Sequence, residues 1–249
     1  MEILEFGNQE KDILMLIHGF ETPWQVWEEY IAHFRNRYHI IVPVLPGHNP
    51  KQKEAFLSIE QCAAEVEALC ESRLGNHVHA LYVMSMGGII AAQLWQNQKM
   101  QIDTLIMESS PLTATPRFIS GILAKMYLMM THKTQKRDAG IIRKATGSII
   151  PENKLDKFLE MMDGITDSDI IHCVHSTGSY QLPEDIRMPD TGMFYFHGTG
   201  FSEILAKKTA RFLRKYYPQG HNIIFQGKAH CEDSILNPMI MIAELEKIL

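Results

Sequence analysis

The sequence predicts an α/β protein with a mostly parallel central sheet, helices on both faces and an inserted helical cap. Three observations lead there. Continuous apolar runs of strand length, such as Ile13-Leu14-Met15-Leu16-Ile17, alternate with segments of helical period; runs apolar at every position belong to strands buried on both faces. No hairpin signal joins successive strands, so the connections are crossovers and the strands parallel. From about residue 113 to 187 the alternation stops and helical segments follow one another. The chain therefore divides into a core, 1–112 and 188–249, and a cap insertion, 113–187.

Taken in order, the first strand ends at the corner His18-Gly19-Phe20. Thr22-Pro23 then offers an N-cap and a proline at the first helical position, followed by Trp24, Trp27, Ile31 and Phe34 at helical spacing. His39 to Leu45 is a second buried strand, closed by Pro46-Gly47-His48. Ser58 and Gln61 have capping-box spacing ahead of Ile59, Cys62, Ala63, Val66, Leu69 and Leu74, with Gly75 as the C-terminal stop. Strands follow at Val78–Met84 and Ile102–Met107, separated by an apolar helix from Met86 to about Gln98. Four helical stretches fill the insertion: Pro116–Thr131, Ala139–Thr146, Glu152–Met162 and Asp169–Thr177. The first is apolar on more than one face, as a helix covering a greasy cavity would be. Alternation resumes with the strand Met193–Gly198, a helix from about Glu203 to Tyr217, the strand Asn222–Gln226, and a last helix started by Asn237-Pro238.

Composition bounds the function. At 249 residues, 45% hydrophobic and 21% charged, the chain can bury a full core. A formal net charge of -5 leaves no basic footprint for nucleic acid. The N-terminus lacks a basic segment followed by an apolar one, and no apolar run reaches the ~18 residues of a membrane span, so a cytoplasmic protein is expected. Cys62, Cys70, Cys173 and Cys231 show no metal or redox spacing and read as buried thiols. His172 and His175 lie three apart on a helix, but no third ligand accompanies them.

The chemistry concentrates in Leu81 to Ala92, where an apolar strand turns into an apolar helix with Ser85 at the corner. A serine there is lifted above the sheet edge, and the Met86 N–H at the helix start points toward any oxyanion formed beside it. Serine needs a neutral imidazole to take its proton, so another loop must deliver a histidine. His230, in the loop after the last strand and behind Gly227, is the candidate.

The run Val83-Met84-Ser85-Met86-Gly87 resembles the G-x-S-x-G nucleophile elbow of the α/β-hydrolase superfamily, with Val83 in place of the first glycine. Gly227-Lys228-Ala229-His230 resembles its G-x-x-H, His18-Gly19-Phe20 its oxyanion corner, and Leu45-Pro46-Gly47-His48 the turn after its next strand. These matches cover most of residues 13–110 and 192–249. The resemblance implies a serine hydrolase acting on an ester or related carbonyl bond without a cofactor or metal. Ser85 would be the nucleophile, His230 the base, and the backbones of Phe20 and Met86 the oxyanion donors. It also implies an acid three residues after Gly198, where Phe201 stands instead. Glu203 lies two residues further on. Glu108 ends the strand after the elbow helix, where some branches, haloalkane dehalogenases among them, carry their acid, and it is the favoured third member. A dehalogenase would need Asp at position 85. The expected partner is a small molecule with an apolar acyl or alkyl group; the alternative reading is a catalytically impaired member of the same fold binding a small apolar ligand, since Val83 and Phe201 both depart from the active pattern.

Overall fold

The computed structural model describes residues 1–187 and 190–249. Among the described residues seven strands form one sheet: β1 (Glu2–Phe6), β2 (Ile13–Ile17), β3 (His39–Val44), β4 (His77–Met84), β5 (Gln101–Glu108), β6 (Gly192–Gly198) and β7 (His221–Phe225). Their spatial order is β1-β3-β2-β4-β5-β6-β7. Every pairing is parallel except β1 with β3. β1 is an edge strand that no apolar run announces; its side chains are all half-buried, which leaves no continuous hydrophobic stretch to read.

The buried strands separate two apolar layers because alternate side chains point to opposite faces. Leu81, Val83, Leu105 and Met107 join one core with α2 (Ile59–Leu69), α3 (Met86–Asn97) and α8 (Ile204–Tyr216). Ala80, Tyr82, Met84 and Ile106 join the other with α1 (Glu28–Phe34) and α10 (Pro238–Leu245). Tyr82 and Trp27 meet there edge-on, ring centroids 5.3 Å apart. A short helix α9 (Glu232–Leu236) precedes α10.

Between β5 and β6 run α4 (Arg117–Gln135), α5 (Ala139–Ala145), α6 (Leu155–Gly164) and α7 (Asp167–Ser179). Residue 188, where the sequence reading resumes the core, lies outside the described residues. α7 opens on a full capping box between Thr166 and Asp169. The box expected at Ser58 is half made: its hydroxyl accepts the Gln61 N–H at 3.2 Å, while the Gln61 amide turns to Glu65 instead. Thr22, unlike Ser58, does not cap its helix. Its hydroxyl donates to the Phe20 carbonyl at 3.1 Å, and the helix begins as a 3₁₀ turn over Trp24–Trp27 before α1. All four cysteines are buried free thiols. Among the described residues no helix is long and apolar enough to cross a membrane, and no cluster of three or more metal-ligating side chains occurs; His172 Nδ1 faces the Phe56 carbonyl at 3.0 Å.

Candidate active site

Ser85 stands between β4 and α3 at φ +51°, ψ −117°, a conformation that side chains rarely adopt and that persists only where surroundings enforce it. Two contacts enforce it. Its N–H donates to the Glu108 carbonyl at 2.8 Å, and its own carbonyl accepts the Gly88 N–H at 3.0 Å. Gly87 permits the sharp entry into α3: a Cβ there would lie 2.5 Å from the Ile17 carbonyl oxygen and 2.7 Å from that of His18. Val83, in the place of the superfamily's first glycine, points into the core beneath α3 and leaves the turn intact.

The His230 ring lies across the top of this turn. Its Nε2 is 2.9 Å from Ser85 Oγ and its Nδ1 is 2.7 Å from Glu203 Oε1. The loop after β7 is fixed by the His230 N–H donating to Ser202 Oγ at 3.0 Å and by Cys231 at φ +50°. Glu203 is fully buried at the end of a 3₁₀ turn over Phe201–Glu203. That turn folds its side chain back over the end of β6, where Oε2 accepts the Ser109 hydroxyl at 2.8 Å and the Gly198 N–H at 3.1 Å. Burial pushes its pKa up, but the hydrogen bond and charge of His230, with the Ser109 and Gly198 donors, outweigh it and hold the carboxyl below its ordinary value. Of the two sequence candidates for the acid, Glu203 therefore meets the imidazole.

Glu108, the favoured candidate, does not. Strand alternation puts it on the face of Ile106, turned down into the core rather than up to the loops. There it accepts the Tyr82 hydroxyl at 2.6 Å and the Ser234 hydroxyl. Burial, against these two donors, lifts its pKa to about 7.

The corner His18-Gly19-Phe20 lies beside the serine turn, and both imidazoles near it serve the loops. His18 Nδ1 meets the Gly19 carbonyl at 2.9 Å while Nε2 accepts the Leu45 N–H at 3.1 Å. His48 joins the Pro46 carbonyl at 3.0 Å and accepts the Glu21 N–H at 3.0 Å. Burial holds both pKa values down, that of His18 to about 3. The Phe20 ring packs edge-on against Tyr127 of α4 at 5.1 Å.

A cavity of about 390 Å³ opens over Ser85 and His230, with Phe20, Met126, Tyr127 and Phe158 among its walls. Several polar residues around the site carry no sequence signal. No pattern distinguishes Ser109, at φ +51° just beyond β5, Ser202 within the 3₁₀ turn, or Glu21 next to Phe20. Only the folded geometry reveals what they touch.

No family model matches the chain. It is 22% identical over 222 residues to the pimeloyl-[acyl-carrier protein] methyl ester esterase of Legionella pneumophila (strain Corby), covering 87% of each chain. To the protein of the same name from Yersinia pseudotuberculosis serotype IB (strain PB1/+) it is 24% identical over 234 residues, covering 87% of this chain and 85% of that one. Among solved structures it superposes on an α/β-hydrolase family protein from Desulfitobacterium hafniense with TM-score 0.78 at 18% identity, covering 99% of both. The thermophilic esterase of Thermogutta terrifontis gives TM-score 0.73 at 16% identity, over 99% of this chain and 92% of that one. Its fold is therefore the α/β-hydrolase fold.

Proposed function

We propose that this protein is a serine esterase, cleaving a small carboxylic ester through an acyl-enzyme. One observation carries the reading: a single imidazole, that of His230, joins the Ser85 hydroxyl on one nitrogen to a buried carboxylate, Glu203, on the other. In this mechanism Ser85 Oγ attacks the ester carbonyl while His230 Nε2 takes its proton. Glu203 fixes the tautomer with hydrogen on Nδ1 and stabilises the imidazolium as it forms. The backbone N–H groups of Phe20 and Met86 receive the oxyanion, a term worth about 3 kcal/mol per donor in comparable sites. The imidazolium then gives its proton to the departing alcohol. Water, deprotonated by the same ring, attacks the acyl-enzyme and releases the acid.

Residues 113–187 act as a cap: α4, α5 and α6 bring Met126, Tyr127, Ile141 and Phe158 to the cavity above the serine. Such walls suit an apolar acyl or alkyl group. The methyl esters named for the two relatives make methyl esters of acyl chains a first substrate class to assay. No residue assigned a role calls for a cofactor.

A fluorophosphonate probe tests the reading, because only an activated serine reacts rapidly with it. One adduct on Ser85 is expected, with no labelling of Ser85→Ala and a loss of ester turnover of at least about three decades in that variant. Equal labelling of the variant would remove Ser85 from the nucleophile's role.

A further inference from the structure

Glu21 places a carboxyl group in the wall of the same cavity that exposes Ser85 and His230. Both ends of this residue are pinned. Its backbone, at φ +50°, donates its N–H to His48 Nε2 at 3.0 Å, and its Oε1 accepts the hydroxyl of the fully buried Thr131 of α4 at 2.7 Å. Its other oxygen, Oε2, takes no donor from the described residues. The cavity it faces is lined also by Met84, Met126, Tyr127, Met130 and Met162, which offer little solvation to a charge. Lys144 of the same lining is exposed and makes no ion pair with Glu21 among the described residues. A carboxylate so placed is an acceptor waiting for a donor.

We infer that Glu21 is a specificity-determining residue, whose Oε2 receives a hydrogen-bond donor, hydroxyl or ammonium, carried by an otherwise apolar ester substrate. The inference rests on the esterase reading and names the chemistry its pocket selects. Glu21 directly follows Phe20, the proposed oxyanion donor, so consecutive Cα atoms 3.8 Å apart tie the donor's binding point to the reacting carbonyl. Burial, moderated by the Thr131 hydroxyl, raises the Glu21 pKa to about 7, as it does for a carboxyl short of partners. A substrate donor would complete its shell, whereas a substrate carboxylate would be repelled. If Glu21 merely tied its loop to α4, the Thr131 bond would suffice and substrate preference would be indifferent to it.

The test compares kcat/KM at pH 8 for p-nitrophenyl hexanoate with its 3-hydroxy, 6-hydroxy and 6-ammonio analogues, each corrected for its uncatalysed reactivity. The wild-type protein should favour at least one donor-bearing ester over the parent by about ten-fold or more, since hydrogen bonds to charged groups have that worth. A hydroxyl preference would identify a neutral donor and an ammonium preference an ion pair. Glu21→Met should bring that ratio close to one, and Glu21→Gln, a neutral acceptor, should lower it part way. Each ratio is internal to one protein, so differences in active fraction cancel, and Glu21→Gln decides the matter should Glu21→Met fail to fold. Ratios within about three-fold of unity in the wild type, or unchanged in the variants, would overturn the inference while parent-ester turnover and Ser85 labelling kept the esterase reading intact. Absence of both turnover and labelling would overturn the two together.

Discussion

Glu108 holds Ser85 through its backbone and not through its side chain. The Ser85 N–H donates to the Glu108 carbonyl at 2.8 Å, while the carboxyl of the same residue turns away to Tyr82 and Ser234. Glu108 and Glu203 thus separate into different roles, and they should respond differently to the same substitution.

Glu203→Gln should lower ester turnover by about three to four decades, because the amide presents the wrong group to the imidazole N–H or selects its wrong tautomer. Glu108→Gln should keep turnover within about ten-fold, since the Ser85 anchor is a main-chain carbonyl that the substitution leaves in place. Steady-state kinetics on one ester with both variants checks this ranking. A reversed ranking would move the acid back to the end of β5.

Ser109→Ala removes one of the donors that hold Glu203 Oε2. A hydrogen bond to a charged group is worth about 1.5–3 kcal/mol, so kcat should fall by roughly ten-fold or more with KM little changed. Wild-type kcat in this variant would show that the Gly198 N–H alone suffices to orient the carboxylate.

The stability of the protein should carry a pH signature of Glu108. Its folded pKa is about 7 against an ordinary 4.5, so between those values the folded state binds more protons than the unfolded state and stability falls as pH rises. The contribution amounts to about 3 kcal/mol and is fully lost above pH ~7. His18 and His48 work in the opposite direction, because their depressed pKa values make the unfolded state the proton binder below about pH 6.5. Glu203, held low, adds stability above its ordinary pKa that disappears as pH falls through its folded value. Comparing Glu108→Gln with wild type isolates the first effect: urea midpoints at pH 5 and pH 8 should differ less in favour of pH 5 in the variant. Equal pH dependence in the two proteins would contradict the raised pKa.

Gly88→Ala should destabilise the fold although alanine favours a helix over glycine by about 1 kcal/mol. A Cβ at position 88 would lie 1.8 Å from Ser110 Oγ and 2.5 Å from Ser110 Cβ, and a rotamer change can relieve only the first contact. Overpacking of this kind costs about 1–3 kcal/mol, so a net loss is expected in urea unfolding, and Ser110→Gly should restore most of it in the double variant.

The sequence by itself determined the α/β architecture, because strands buried on both faces leave unbroken apolar runs and crossover helices leave a helical period. It also singled out Ser85 and His230, since a corner serine between an apolar strand and an apolar helix, and a histidine in the loop after the last strand, are patterns written in adjacent residues. The His230–Ser85 contact, and which of the two carboxylates meets the imidazole, were decided by the tertiary structure alone. Glu203 reaches the imidazole because a 3₁₀ turn over Phe201–Glu203 curls it back onto Gly198 and Ser109, while strand parity turns Glu108 into the core. The edge strand β1, paired through its backbone with β3, and the Glu21–Thr131 bond across 110 positions have the same origin. Each depends on where distant segments meet, and a side chain's direction at that meeting is set by packing on both of them rather than by its neighbours in the chain.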